Sequence, residues 1–164
     1  MMQIKSQPKE RFIKMANQVK FPLSIHMEKL KPYFIPDKRF EQQKAFWIIY
    51  DHEIQKAGEM RKCIDCLVCQ DSCHSVRNPN IHYTGPRNVV KAIAQDSHPR
   101  NGFSRAELLQ KEGIGLCNVT RWCSRNCPQD IRITEHAIIP MKEKIITKIG
   151  MRDVIKDLRG RKHG

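Results

Sequence analysis

Long hydrophobic runs are missing from this 164-residue sequence, so it predicts no membrane-spanning helix. Its basic N-terminus has no apolar core segment and does not resemble a secretory signal, which favours a reducing compartment. Alternating apolar patterns longer than about four residues are also missing, which favours an all-α fold. Glycine-rich phosphate loops, nucleophile elbows and paired carboxylates do not stand out either, so the sequence predicts no catalytic residues.

Acidic residues are few relative to basic ones: 17 aspartates and glutamates stand against 30 lysines and arginines, for a formal charge of +13. This balance favours an anionic partner, which is a nucleic acid, a membrane surface or an acidic protein. Because no signature of a nucleic-acid-binding fold is present, we expect no nucleic acid and favour a peripheral position on a membrane or an acidic partner. With 40% apolar residues the hydrophobic core is modest, and bound metal would help to stabilise it.

What the chain does contain is seven cysteines that all fall into two short groups. The first group has the spacing that surrounds a cubane iron–sulfur cluster, and the second repeats it with Thr120 in place of one cysteine. An odd number of cysteines fits a closed disulfide framework poorly, and the tight first run differs from the paired motifs of zinc sites. We therefore predict two unequal iron–sulfur clusters. The groups are Cys63-x2-Cys66-x2-Cys69-x3-Cys73 and Cys117-x5-Cys123-x3-Cys127-Pro128.

A rule from two-cluster ferredoxins assigns the ligands: the first three cysteines of such a run bind one cluster, and the fourth binds the other. The second site is then left with three thiolates, which suits [3Fe–4S]. A [4Fe–4S] cluster with Thr120, water or a partner residue as fourth ligand is the alternative there. A cluster with fewer thiolates is easier to reduce and suits the accepting end of a relay. The assignment is Cys63, Cys66, Cys69 and Cys127 for [4Fe–4S], and Cys73, Cys117 and Cys123 for [3Fe–4S].

Proline and charge divide the chain into an irregular N-terminal arm (1–37), an α-helical ferredoxin-like domain (38–150) and a basic C-terminal tail (151–164). Apolar spacing within the domain predicts a helix that runs from Phe46 toward the first cysteine run. The same periodicity predicts another helix over about 87–96.

Capping residues predict where other helices begin and end. Asp37 is expected to cap the start of the helical domain. Ser104 opens a capping-box pattern ahead of a helix that Gly113 and Gly115 would end. Thr134 is expected to cap the last helix, which Pro140 should kink or split.

The cysteine runs and the stretch between them resemble the C-terminal domain of the iron–sulfur subunit of succinate dehydrogenase and fumarate reductase. The resemblance covers roughly residues 60–149 and includes Cys63-Ile64-Asp65-Cys66, Tyr83-Thr84-Gly85-Pro86 and the non-cysteine Thr120. It implies a non-catalytic α-helical ferredoxin domain that passes electrons from a [2Fe–2S] centre through [4Fe–4S] and [3Fe–4S] clusters to a quinone. It also implies a flavoprotein partner, membrane-anchor subunits, and a peripheral location on the cytoplasmic side of the membrane or the matrix side of the mitochondrial inner membrane.

The sequence departs from that family at several positions. No cysteine precedes Cys63, so we expect the [2Fe–2S] ferredoxin domain on a separate chain. His74 stands where the family usually has proline. Asn118 and Asn78 stand where the family tends to have a histidine and a tryptophan near its quinone. Our candidates for the quinone vicinity are His74, Asn118 and Trp122.

Two other functions remain open at this point. The small iron–sulfur subunit of heterodisulfide-reductase-like complexes has a similar pair of runs, but those runs normally carry eight cysteines, and Thr120 argues against it. A cluster-bearing regulator or nucleic-acid-binding module is supported by the positive charge alone.

Overall fold

The computed structural model describes residues 28–41 and 48–160, and it confirms the all-α fold for that part of the chain. The β-type pairing in these ranges is an isolated bridge between Pro36 and Asn101. None of the described helices combines the length and the apolar character that crossing a membrane requires. The helical elements are α1 (Lys38–Glu41), α2 (Asp51–Arg61), α3 (Val68–Asp71), α4 (His74–Arg77), α5 (Pro86–Asp96), α6 (Ala106–Lys111), a 3₁₀ turn (Ile114–Leu116), α7 (Trp122–Arg125), a π-helical segment (Ile133–Ile138) and α8 (Ile139–Gly160).

The hydrophobic core lies where α5 packs against α2, α3 and the π-helical segment. Val89 and Val90 of α5 are almost fully buried there, because α5 presents one apolar face to its neighbours. Two of the cysteines, Cys69 and Cys123, belong to the same buried cluster. The core and the cysteine loops are therefore one continuous structure.

The start of α5 is fixed by a side chain from the first cysteine run. Gly85 precedes Pro86 at the helix start and has no side chain to cap it. Gln70 takes that role: its Oε1 accepts a hydrogen bond from the backbone N–H of Arg87 (3.3 Å), and its Nε2 donates to the carbonyl of Thr84 (2.9 Å). Gly85 has φ of +91°, and a Cβ there would collide with the Gln70 amide. The helix predicted over about 87–96 thus starts at Pro86, held against the first cysteine run.

Asp37 caps α1 as predicted. Its carboxylate accepts hydrogen bonds from the backbone N–H of Arg39 (3.0 Å) and from the Arg39 guanidinium (Nε–Oδ2 2.9 Å). The side-chain hydrogen bond, followed by the backbone one, lowers the pKa of Asp37. A charged carboxylate therefore faces the N-terminus of α1, where negative charge is favoured.

Helix α2 begins later than the apolar spacing predicted. It starts at Asp51, whereas the predicted start was Phe46. Tyr50 is extended, and its backbone N–H donates to the Glu53 carboxylate (3.0 Å), which satisfies a donor that a longer helix would use internally. The prediction for Phe46 itself lies outside the described residues, which omit 42–47.

Helix α6 has Arg105 rather than Ser104 at its N-cap. The Ser104 hydroxyl accepts a hydrogen bond from Lys148 (Nζ–Oγ 3.0 Å). The backbone N–H of Arg105 instead donates to the carboxylate of Asp96 at the end of α5 (2.6 Å). The capping prediction was wrong because a charged acceptor from another helix reaches this turn, and charged acceptors form the stronger hydrogen bonds.

The side chain of Arg105 ties the beginning of the described chain to the domain. Its guanidinium is fully buried and donates to the carbonyls of Lys31 (2.9 Å) and Tyr33 (2.6 Å). These acceptors compensate the burial of a positive charge. Residues 28–37 are thus docked on the domain, whereas residues 1–27 of the predicted arm lie outside the described part of the chain.

The last helix is entered through a π-helical segment. Thr134 lies inside this segment, and Arg132 holds the N-cap position, so the capping prediction was wrong. The Thr134 hydroxyl contacts the sulfur of Cys123 instead (3.2 Å). The wider π turn ends next to Pro140, whose ring and missing N–H oppose an ordinary α turn before it. The kink or split predicted at Pro140 is thus a change from π-helix to α-helix just before the proline.

Helix α8 has no break at the boundary predicted after residue 150. It continues to Gly160, and Met141 and Ile145 anchor its first half in the core. The basic residues 161–164 of the predicted tail lie outside the described residues.

Gly113 ends α6, as predicted, in a left-handed conformation with φ of +77°. A Cβ at this position would lie 1.8 Å from the carbonyl oxygen of His82. We expect Gly113→Ala to lower the melting temperature by about 5 °C or more, because the left-handed backbone costs about 1–2 kcal/mol and the clash adds to it. Gly115→Ala is the matched control, since nothing lies within 4 Å of its added Cβ. The melting temperatures are measured by circular dichroism. Equal values for the two variants would contradict a special requirement for glycine at position 113.

Candidate iron–sulfur centres

The two cysteine loops have the same backbone conformation. In the first loop, Asp65 and Leu67 have φ of 58° and 62°. In the second loop, Val119 and Arg121 have φ of 58° and 64°. Each loop then enters a four-residue helix, α3 or α7. Left-handed conformations at non-glycine residues are strained, and their repetition at matching positions indicates a functional constraint.

Thr120 lies at the position in the second loop that Cys66 occupies in the first. Each of them stands between the two left-handed residues of its loop, and each is exposed. The loops also end alike, because the backbone N–H of Cys73 and that of Cys127 each donate to the carbonyl three residues earlier (3.3 Å in both). The second loop therefore has a hydroxyl where the first has a thiol.

Four cysteines line one pocket with a largely apolar wall. Val90, Ile131 and Ile133 form its buried part. Soft thiolate sulfur in an apolar setting suits iron–sulfur clusters. The structure thus brings together the four cysteines that the ferredoxin rule groups at the first site. They are Cys63, Cys66, Cys69 and Cys127.

The remaining three cysteines, Cys73, Cys117 and Cys123, form a second group. Burial raises the pKa of Cys73 and of Cys123, and the charge of Cys117 raises both further. The buried phenol of Tyr83 lies against the group: burial and then the charges of Cys117, Cys73 and Cys123 raise its pKa well above the usual value. These are the three cysteines that the sequence assigned to the second site.

Hydrogen-bond donors point at the sulfurs of the second group. The Cys73 sulfur accepts from the backbone N–H groups of Val76 and Ser75, which lower its pKa against the larger effect of burial. The Cys123 sulfur lies 3.2 Å from the hydroxyl of Thr134, which lowers its pKa in the same way. Such donors stabilise negative charge on sulfur, so they favour a more reduced cluster.

Two side chains fix the segment that carries Cys117. The hydroxyl of Ser75 donates to the carbonyl of Leu116 (3.1 Å), which links α4 to the 3₁₀ turn. The ammonium of Lys142, on α8, donates to the carbonyl of Cys117 (2.6 Å). The second group is therefore held by elements from three parts of the chain.

The first loop is held by ion pairs with α5. Asp65 pairs with Arg87 (Nε–Oδ1 2.9 Å) and with Lys91 (Nζ–Oδ2 2.8 Å). Burial alone would raise the pKa of Asp65, but the hydrogen bonds from Lys91 and Arg87 outweigh it and lower the pKa. The strained left-handed turn at Asp65 is thus secured by two cations.

Cys69 connects the two groups electrostatically. Burial, followed by the charges of Cys63 and Cys123, raises its pKa to about 12. Cys69 belongs to α3 and Cys123 to α7, and these two helices pack against each other. A bound metal would displace the proton of this thiol to solvent and supply the positive charge that the buried sulfur lacks, so cluster binding and folding are coupled here. No three His, Cys, Asp or Glu side chains of the described chain converge on a point that would hold one mononuclear ion.

The residues predicted to lie near a quinone are on the surface beside the second group. His74 and Trp122 form an edge-to-face pair with ring centroids 6.4 Å apart. The guanidinium of Arg125 lies 5.9 Å from the Trp122 ring. Asn118 is exposed on the second loop. The structure brings the two aromatic rings together, and the contact with a quinone stays a prediction.

Sequence reasoning missed the roles of Tyr83 and Gln70. Gln70 directly follows Cys69, but it acts across the loop on α5, and Tyr83 lies 34 residues before the second run begins, so the cysteine spacing predicts neither role. The Gly85-Pro86 helix start was the available signal, because a glycine with no side chain needs a cap from elsewhere.

Residues 59–131 match the family described as a 4Fe–4S dicluster domain. That range contains all seven cysteines. This match and the paired cysteine loops support iron–sulfur clusters in this part of the chain.

Several curated proteins are similar to this chain. The succinate dehydrogenase iron–sulfur subunit of Bacillus subtilis is 25% identical over 103 residues, which cover 60% of this chain and 37% of that protein. The fumarate reductase iron–sulfur subunit of Escherichia coli O6:H1 is 27% identical over 114 residues, covering 64% and 43%. One chain of the fumarate reductase (CoM/CoB) of Methanothermobacter marburgensis is 28% identical over 92 residues, covering 55% and 18%. This chain thus spans less than half the length of these relatives.

A solved structure is also similar to this chain. A chain of the Mycobacterium smegmatis Sdh1 complex in the apo form is 36% identical and superposes with a TM-score of 0.66, covering 76% of this chain and 54% of that one. This chain is a homologue of the iron–sulfur subunits of succinate dehydrogenase and fumarate reductase, and it matches their dicluster part. The resemblance predicted from the cysteine runs is confirmed.

Proposed function

We propose that this chain is the electron-relay subunit of a complex of the succinate dehydrogenase or fumarate reductase type. It would carry one [4Fe–4S] and one [3Fe–4S] cluster, which supply one-electron transfer when bound. The observation that carries the proposal is the pair of matching loops, one with a thiol and the other with Thr120 at the same backbone position. The proposed ligands are Cys63, Cys66, Cys69 and Cys127 for the first cluster, and Cys73, Cys117 and Cys123 for the second.

The exchange of one ligand between the loops supports a serial relay. Cys127 follows α7 yet lines the pocket of the first loop, and Cys73 follows α3 yet lies with the second group. Each site therefore takes its last ligand from the other loop, which keeps the two sites adjacent. Val90 and Ile133 form the buried, apolar side of the first pocket, where a cluster's charge would interact more strongly with nearby groups than it does in water.

The surroundings of the second group favour it as the electron-accepting end. Three thiolates rather than four leave less negative charge, and N–H and O–H donors reach the sulfurs of Cys73 and Cys123. Both effects raise a reduction potential. Electrons would then move from the first site to the second and leave near His74 and Trp122, which are exposed there.

The proposed partners follow from the relatives. The donor would be a flavoprotein acting through a separate [2Fe–2S] chain, and the acceptor a quinone held with membrane-anchor subunits. The formal charge of +13 suits a peripheral position on an anionic membrane face. We place the chain on the cytoplasmic side, or on the matrix side of a mitochondrial inner membrane, with no nucleic acid as partner.

Anaerobic purification from native membranes tests the proposal. We expect a brown complex with copurifying flavoprotein and [2Fe–2S] chains and an oxidised three-iron EPR signal near the free-electron position. After the two irons of the [2Fe–2S] chain are subtracted, about seven irons should remain per copy of this subunit. Intact oxidised protein with about eight irons and no such signal would overturn the three-iron assignment. Colourless protein, or protein with zinc and no acid-labile sulfide, would overturn cluster binding itself.

A further inference from the structure

The hydroxyl of Tyr83 is the one buried side-chain N or O atom in the described residues that lacks a hydrogen-bond partner. The side chain is 7% exposed, so water does not replace the missing partner. Phenylalanine would fill the same space without burying an unsatisfied donor. The sulfur of Cys117 acts on the phenol but does not meet hydrogen-bond geometry toward it, so the hydroxyl still lacks a well-placed acceptor within the polypeptide.

The surroundings of Tyr83 identify that acceptor by its chemistry. Its phenol interacts with Cys117, Cys73 and Cys123, which are the three cysteines of the second group. Its buried ring belongs to the same hydrophobic cluster as Cys123, and Cys73 and Cys117 pack against that cluster, so the neutral phenol is a hydrogen-bond donor next to these sulfurs. A free thiol is a weak acceptor, whereas the sulfur of a bound cluster carries more negative charge. The acceptor is therefore electron-rich sulfur.

The backbone around Tyr83 holds the ring in place. The N–H of Thr84 donates to the carbonyl of Glu112 (3.0 Å), and Gly113 allows the chain to pass directly against His82. On the other side, the Gln70 amide binds the carbonyl of Thr84. Because the backbone at His82 and Thr84 is held on either side of Tyr83 and the side chain is buried, the ring is confined to one place.

We propose that the Tyr83 hydroxyl donates a hydrogen bond to a sulfur of the cluster that Cys73, Cys117 and Cys123 hold, and that this bond raises its reduction potential. The inference rests on the proposed function, because it requires a cluster at the second site. A donor stabilises the reduced cluster more than the oxidised one, since the reduced cluster carries one more negative charge. Tyr83 would change the reduction potential of the cluster and would not itself carry an electron.

The test is a potentiometric titration of Tyr83→Phe in the complex with both clusters bound, followed by EPR. We expect the equilibrium constant for one-electron reduction of the second cluster to fall about three- to tenfold, and tenfold corresponds to about 59 mV. The first cluster should keep its potential, and iron content should match the wild type. Tyr33→Phe is the matched control, since the Tyr33 side chain is 57% exposed.

A second measurement separates a hydrogen bond from a packing effect. Electron–nuclear double resonance in H₂O and D₂O should detect exchangeable protons coupled to the second cluster, and Tyr83→Phe should lose one of these couplings while those from Thr134 and the backbone N–H groups near Cys73 remain. Unchanged potential and coupling in the loaded variant would overturn the inference, as would equal shifts at both clusters. Failure of the proposed function would appear earlier, as a wild-type protein without a second cluster. If the second cluster proves to have four irons, the same titration of Tyr83→Phe would be followed on the EPR signal of the reduced cluster.

Discussion

Thr120→Cys should abolish the oxidised three-iron EPR signal and replace it with a second four-iron signal in the reduced protein. The new thiol would stand between two left-handed residues, Val119 and Arg121, as Cys66 stands between Asp65 and Leu67. Because Thr120 is exposed, a sulfur fits there without disturbing the core. Iron content should rise by about one per chain, and the added thiolate charge should lower the reduction potential of the second site.

Thr120→Ser is the control for this exchange. Serine has nearly the same volume as cysteine and keeps the hydroxyl chemistry of the native residue. It should preserve the three-iron signal and the iron content of the wild type. A Thr120→Cys protein that keeps its three-iron signal at full iron occupancy would show that the two loops are not equivalent toward a cluster.

The parts of the site that the sequence predicts are those encoded by local spacing. The cysteine runs indicated two clusters and the place of Thr120, because the chain curls around such sites within a few residues. The start of α5 is also encoded locally, because Gly85 and Pro86 stand next to each other where the helix begins. Local chemistry also predicted the end of α6, where Gly113 adopts the left-handed conformation that glycine favours.

The two wrong capping predictions share one physical cause, which is competition from groups 9 and 11 residues away that reach the same turn in the folded domain. Ser104 has the chemistry of a cap, but Asp96 reaches the same turn from the end of α5. Thr134 also has that chemistry, but its hydroxyl is turned toward Cys123. The spacing of the cysteines did not predict a role for Tyr83 either. Its position beside the second group depends on the hydrogen bond between the neighbouring Thr84 and Glu112, which are distant in sequence. Contacts of this kind exist only after the domain has folded.

Cys127→Ser should remove the first cluster and strongly destabilise the domain. Cys127 is the ligand that the second run contributes to the first pocket, and its backbone N–H closes the turn after α7. Without this thiolate, the pocket retains three ligands from one short run and no tie to the other loop. Iron content should fall by about four per chain, and the loss of metal binding should reduce the free energy of unfolding by several kcal/mol, about the size of the whole stability of many domains.

Gln129→Ser provides the comparison, since Gln129 also lines the first pocket but is exposed and is not a thiol. It should leave the iron content and the reduced four-iron signal unchanged. The EPR spectrum of Cys127→Ser also tests the exchange of ligands between the loops. Selective loss of the four-iron signal is expected, whereas selective loss of the three-iron signal would assign Cys127 to the second site instead. Full iron content in Cys127→Ser would show that the first cluster does not depend on this thiolate.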